Sequence, residues 1–273
     1  MCKNAKNRAI YVFGHSVGAW IAQRVAVRLS QERLPLTVKS KSKSKSKPKP
    51  KPNIDLKFVG LITPTLIDIA KSEKGEKLCW WSSKIEKSVP GLSMANIAFT
   101  TSKFVSSCVP LSWQKRLITW VMGRDIKNHV VQATIKLLNR PDICHQCLRM
   151  AKEEMIRINS EFEPKDIEGF WPSKSGPQTD SETELDSSPA STTGSMNGVK
   201  IWIWFASNDH WVSPASRANL IERYTFMDNM LMEVGKGAMN MESLADVEHS
   251  FCVRKSEEFA DITSKRILFF DQI

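Results

Sequence analysis

Five residues near the start, Gly14-His15-Ser16-Val17-Gly18, constrain this chain more than anything else in it. They follow a short apolar β-type run, Ala9–Phe13, and precede an Ala/Val/Trp-rich stretch that reads as a buried helix from Val17 to about Leu29. G-x-S-x-G between a strand and a helix marks a turn so sharp that the serine backbone is strained and its neighbours must be small. Gly14 and Gly18 meet that demand. The serine hydroxyl then stands at the head of a helix, where the Val17 N–H is placed as an oxyanion donor. The bland alternative is a glycine-rich turn with a structural serine.

The elements that follow alternate. Ile54–Ile62 reads as a second strand, Val199–Ala206 as a strong third with Trp202 and Trp204 on one face, and Met230–Val234 as a short fourth. Ser213–Tyr224 and Lys255–Phe270 read as helices. Between the second and third strands, residues from about 77 to 170 are rich in Trp, Phe, Met and Leu at helical spacing, broken at Pro90-Gly91, Pro110 and Pro141. This order predicts an α/β fold with a mostly parallel sheet and a helical insertion acting as a cap. Residues 35–53 contain the alternating Lys-Ser and Lys-Pro tract, and 172–198 are acidic and rich in Ser, Thr, Pro and Gly. Both are too polar to bury apolar area, and the sequence predicts disorder in each.

A serine hydroxyl needs a base, and the base needs a carboxylate to orient it. On a strand–turn–helix elbow the chain order is Ser, then Asp or Glu, then His. Of five histidines, His15 lies inside the elbow, while His129 and His145 fall in the helical insertion. His210 directly follows Asp209. His249 alone lies after the last strand and before the closing helix, and it is the candidate base. Asp209, just past the strong strand, is the candidate acid, since sites of open α/β sheets gather at the carboxyl ends of strands. Two alternatives stay open: Asp209 as a turn-forming residue, and Asp246 as the acid.

Charge and cysteine content exclude other classes. The net charge is +10, but residues 39–52 hold seven lysines and no acid, and the rest of the chain is nearly balanced. The tract lacks interleaved aromatics and any reading module, so no nucleic-acid partner is expected. The six cysteines form no evident disulfide framework, which suits a reducing compartment. Cys144-His145-Gln146-Cys147 is a lone pair without further ligands, so no metal site is expected. No apolar run is long enough to span a membrane. The apolar stretch 91–123 is interrupted by Pro110 and carries Trp113 and Trp120. It reads either as a helical hairpin dipping into a lipid surface or as the buried face of the cap.

The segments YVFGHSVGAWIA, FVGLITPTLIDIAKSEKGEKL, FASNDHWVS and VEHSFCVRKSEEFA occur in this order over most of the chain. Together they resemble the lipid droplet-associated hydrolase family. The resemblance implies an α/β-hydrolase fold, with Ser16 as nucleophile, Asp209 as acid and His249 as base. It implies turnover of a lipid or sterol ester without metal or organic cofactor. It also implies residence on lipid droplets and the endoplasmic reticulum, peripheral and otherwise cytoplasmic. A non-catalytic lipid-surface protein retaining the fold is the alternative. Hydrolases of this fold place strands and an oxyanion loop ahead of the elbow, and here the elbow begins at Gly14. The expectation is therefore a single shortened hydrolase domain over 1–273, with slow or no turnover.

Overall fold

The computed structural model describes residues 8–32, 54–123, 126–159, 167, 170–171, 196, 198–224, 230–234 and 249–271. The tract 35–53 and nearly all of 172–198 lie outside the described residues. Four strands form one sheet in the order β1 (Arg8–His15), β2 (Ile54–Ile62), β3 (Lys200–Phe205), β4 (Met230–Val234). The β1–β2 and β2–β3 pairs are parallel, with a bulge between Ile10 and Tyr11. Parallel neighbours require crossovers, and β1 reaches β2 through α1 (Val17–Glu32). The α/β class and parallel sheet read from the sequence are those of the structure. β2 and β4 have the boundaries expected, and β3 is shorter by one residue at each end.

The chain divides into two compact units. The first comprises residues 1–64, 162–204 and 224–232. In it, α1 lays Ala19, Ala22 and Ala26 against β1 and β2, and all three are buried. Small side chains at i, i+3 and i+7 let the helix approach the sheet closely. From Ile201 onward β3 is buried throughout, Trp202 completely. Such a continuous apolar run is what a parallel strand covered on both faces requires.

One polar pair crosses this core. Trp171 donates its indole N–H to Gln23 Oε1 at 2.7 Å, and both residues are buried. Removing the acceptor takes this hydrogen bond out of the core. Gln23→Leu should therefore destabilise the protein by about 1–3 kcal/mol. A denaturant midpoint that does not fall would show that the indole finds another partner.

The second unit comprises residues 65–161, 205–223 and 233–273. It contains five consecutive helices: α2 (Glu73–Ser88), α3 (Met94–Cys108), α4 (Leu111–Met122), α5 (Asn128–Leu138) and α6 (Pro141–Arg157). The breaks expected at proline fall between them. Pro90 lies in the α2–α3 turn, Pro110 separates α3 from α4, and Pro141 opens α6. Ser72 and Ser93 accept from Gly75 N–H and Asn96 N–H, capping α2 and α3. Ile118, Val131 and Ile135 join α4 to α5 in a small buried cluster. The unit also holds α7 (Pro214–Tyr224, to Arg223), α8 (Phe251–Arg254) and α9 (Ser256–Asp271). Arg266 of α9 donates Nε to Glu233 Oε2 at 2.9 Å, and its Nη2 pairs with Glu233 Oε1, fixing α9 to the end of β4.

Helix α4 is inside out. Its buried residues are Gln114 and Ile118, while Leu111, Trp113, Leu117, Trp120 and Val121 are exposed, Trp120 by 80%. Gln114 is buried because it is fully used. Its Nε2 donates to the Val105 and Val109 carbonyls at the end of α3, and its Oε1 accepts from Asn139 Nδ2. The Val105 carbonyl also accepts the Val109 N–H, so the glutamine adds a second bond there and supplies a donor to the Val109 carbonyl at the helix end. Phe99 and Phe104 of α3 are exposed as well. The buried-face reading of stretch 91–123 therefore does not hold for these aromatics.

Candidate active site

Ser16 sits between β1 and α1 with φ 56°, a left-handed conformation for a residue that is not glycine. A non-glycine residue is held there only when the surroundings over-determine it. Its N–H donates to the Ile62 carbonyl at 3.0 Å, its own carbonyl accepts from Ala19 N–H at 2.9 Å, and α1 begins immediately after it. Val17 is the first residue of α1, so its N–H has no partner within the helix. That is the position an oxyanion donor needs.

The two glycines of the motif are not equivalent. A Cβ on Gly14 would strike the Gly18 carbonyl oxygen and lie 2.5 Å from Gly18 C and 2.6 Å from Ala19 Cα. A Cβ on Gly18 would meet nothing within 4 Å. Close approach of strand and helix therefore requires glycine at position 14 only. The expectation that both flanks must be small is corrected for Gly18.

In the second unit the structure brings Asp209 and His249 together. His249 Nδ1 lies 2.8 Å from Asp209 Oδ2, and the two side chains are 12% and 3% exposed. The other carboxylate oxygen, Asp209 Oδ1, accepts the Trp211 N–H at 2.8 Å and the Val212 N–H at 3.1 Å. One oxygen of Asp209 thus holds the turn and the other meets His249. The turn bonds lock the carboxylate, and the locked carboxylate sets the imidazole. Asp246 lies outside the described residues. Arg217 of α7 holds the strand end preceding the turn, donating Nη1 to the Ala206 carbonyl at 2.8 Å and the Ser207 carbonyl at 3.2 Å. Ser16 belongs to the first unit and the Asp209–His249 pair to the second.

A second acid–histidine pair lies beside the first and was missed in the sequence. His210 Nδ1 is 2.6 Å from Glu73 Oε2, at the start of α2. Lys74 N–H donates to the His210 carbonyl at 3.0 Å, and the Lys74 ammonium stands 5.7 Å from the centre of the Trp211 ring. Hydrogen bonds from Lys77 and His210 hold the Glu73 carboxyl below its ordinary range. Three contacts thus moor the Asp209 turn to α2. Nothing local announces them, because Glu73 and His210 are 137 residues apart.

His129 and His145 lie on α5 and α6, as expected of the insertion, and His145 Nε2 is 3.3 Å from Asn96 Oδ1. Cys144 and Cys147 are free thiols on α6, and among the described residues no cluster of His, Cys, Asp or Glu could hold a metal ion. Among them too, no helix is long and apolar enough to cross a membrane.

Comparison with known proteins adds two findings. The family model described as lipid-droplet associated hydrolase matches residues 1–252. Among solved structures, the chain is similar to the N-formylmaleamic acid deformylase of Pseudomonas putida S16, with 14% sequence identity and a TM-score of 0.44. That match covers 94% of this chain and 66% of the deformylase chain.

Proposed function

The chain belongs to the lipid-droplet associated hydrolase family, and from that premise we propose that it cleaves lipid carboxylic esters through an acyl-Ser16 intermediate. The observation that carries this reading is the buried Asp209–His249 pair. With Nδ1 committed to the carboxylate, Nε2 is the nitrogen assigned to the serine proton. In the reaction, Ser16 Oγ attacks the ester carbonyl while His249 Nε2 takes its proton. The Val17 N–H stabilises the oxyanion. The imidazolium returns the proton to the departing alcohol, leaving the acyl group on Ser16. Water, deprotonated by His249, then attacks the acyl carbon and releases the fatty acid and the free serine. Asp209 stabilises the imidazolium.

The test is reaction of the full chain with a fluorophosphonate, followed by peptide mapping. A single adduct on Ser16 is expected. A folded chain that stays unlabelled at Ser16 would overturn the nucleophile and favour the non-catalytic lipid-surface protein.

The substrate reaches the enzyme on a lipid surface. The support is the inverted amphipathicity of α4, whose exposed Trp113, Leu117, Trp120 and Val121 form one helical stripe, flanked by the exposed cation Arg116. Aromatic and aliphatic side chains on such a face bury in the lipid boundary while cations meet anionic headgroups. The membrane in question is the monolayer of a lipid droplet or the endoplasmic reticulum. Fully burying one large apolar side chain is worth about 1.5–3 kcal/mol, so losing two lowers partitioning by about a hundredfold or more. Trp113→Ser with Trp120→Ser should abolish flotation of the protein with droplets. Flotation that persists would remove α4 from the contact.

A further inference from the structure

The helices of the second unit enclose a cleft of about 390 Å³ that no residue of the Ser16, Asp209, His249 set lines. It lies between α2, α3 and α6. α3 and α6 pack along their lengths, whereas α2 meets α6 sparingly, through a bridge in which Lys152 Nζ donates to Glu86 Oε1 at 2.5 Å. The bridge props the two helices together over an open groove. Its wall is mostly apolar and includes Leu78, Met94, Leu148, Met155 and Ile156. That volume lies within the range of small-molecule sites.

The charge at its edge is one-sided. Glu86 is engaged by Lys152, and Ser82 Oγ lies 3.4 Å from the same oxygen. That hydrogen bond from Lys152 holds the Glu86 carboxyl below its ordinary range. Two further cations line the cleft, Lys87 on α2 and Arg149 on α6. Among the described residues neither makes an ion pair or a side-chain hydrogen bond. An apolar slot with two uncompensated cations at its rim is complementary to an amphiphile with one chain and one negative head. Methylenes are desolvated in the slot, and a planar guanidinium takes a carboxylate or phosphate in two parallel hydrogen bonds.

We infer that this cleft is a binding site for a single-chain anionic lipid, the chain lying against Leu148, Met155 and Ile156 and the head held by Arg149 and Lys87. A free fatty acid and a lysophospholipid both present this chemistry. The site does not depend on the hydrolase reading.

The test uses the full chain carrying Ser16→Ala, so that turnover contributes nothing to the signal. Fluorescence titration with cis-parinaric acid below its micellar concentration should show one saturable site. Displacement by palmitate and by lysophosphatidic acid then distinguishes the two sources, and displacement by either supports the site. Hexadecanol, with the chain but no charge, should compete at least about tenfold less well, as should any ligand after Lys87→Glu with Arg149→Glu. Ile156→Asp, at an already exposed position, should weaken binding independently, and unchanged melting temperatures keep both variants informative. Binding should survive Trp113→Ser with Trp120→Ser. Absence of saturable binding, equal competition by hexadecanol, or binding indifferent to Lys87 and Arg149 would overturn the proposal. So would binding lost only with the tryptophans of α4.

Discussion

Asp209→Asn is expected to lower ester turnover, and the rate of fluorophosphonate labelling, by about 10⁴-fold while leaving the fold intact. The reason lies in how the two carboxylate oxygens are used. Oδ1 accepts two backbone N–H groups, from Trp211 and Val212. In an asparagine only the carbonyl oxygen can fill that place, because an amide NH₂ facing two N–H donors would leave all three unpaired. The turn therefore dictates the orientation of the amide. Its NH₂ must point at His249 Nδ1, which then has to accept. The proton moves to Nε2, and the nitrogen that should take the serine proton already carries one. A carboxylate whose neighbours imposed no orientation would let the amide flip and recover part of the activity. Here the loss should be nearly complete, with an unchanged melting temperature because both turn bonds survive. A drop of only tenfold would mean that Asp209 does not set the tautomer, and that the acid lies elsewhere.

Asp209 also shows where the sequence was readable and where it was not. Its place in the chain, after a strong strand and before the last histidine, made it the candidate acid, and the structure sets it beside His249. A sequence cannot say that one carboxylate both holds its own turn and meets a histidine, since that needs the positions of both oxygens. His249 was singled out by elimination among five histidines, and the structure places it against Asp209. His210 was not: its partner Glu73 opens α2, on the far side of β3 in sequence, and a glutamate at a helix start reads only as favourable first-turn charge. β3 was legible to within a residue because a buried parallel strand carries an unbroken apolar run, whereas β1 begins one residue before and ends two after the apolar run Ala9–Phe13. Stretch 91–123 was ambiguous because apolar residues at helical spacing look the same whether they face a core or a lipid surface. The structure shows only that these tryptophans do not face a core: they are exposed around a buried Gln114, whose burial depends on carbonyls at the end of α3 and on Asn139, all distant from the stripe in the pattern.

The motif itself hides a distinction that mutation should expose. G-x-S-x-G presents Gly14 and Gly18 as equals, but substitution by alanine should separate them sharply. At Gly14 the new methyl collides with the backbone of the first turn of α1, at Gly18 C and Ala19 Cα. Backbone cannot swing aside as a flexible side chain can, so β1 and α1 must separate. Overpacking of this kind costs about 1–3 kcal/mol and sometimes more. The same displacement moves Ser16, which is held between those elements in a left-handed conformation by the Ile62 carbonyl. A misplacement of about 1 Å in a reacting group costs about 10²-fold in rate. Gly14→Ala should therefore lower the melting temperature and slow labelling of Ser16 together. At Gly18, the second residue of α1, the methyl enters open space. Alanine there relieves the entropic cost of glycine in a helix, by about 0.5–1 kcal/mol. Gly18→Ala should raise the melting temperature and leave labelling unchanged. If both substitutions were equally damaging, the second glycine would be needed for something other than room beside the strand, and the steric account of the elbow would be wrong.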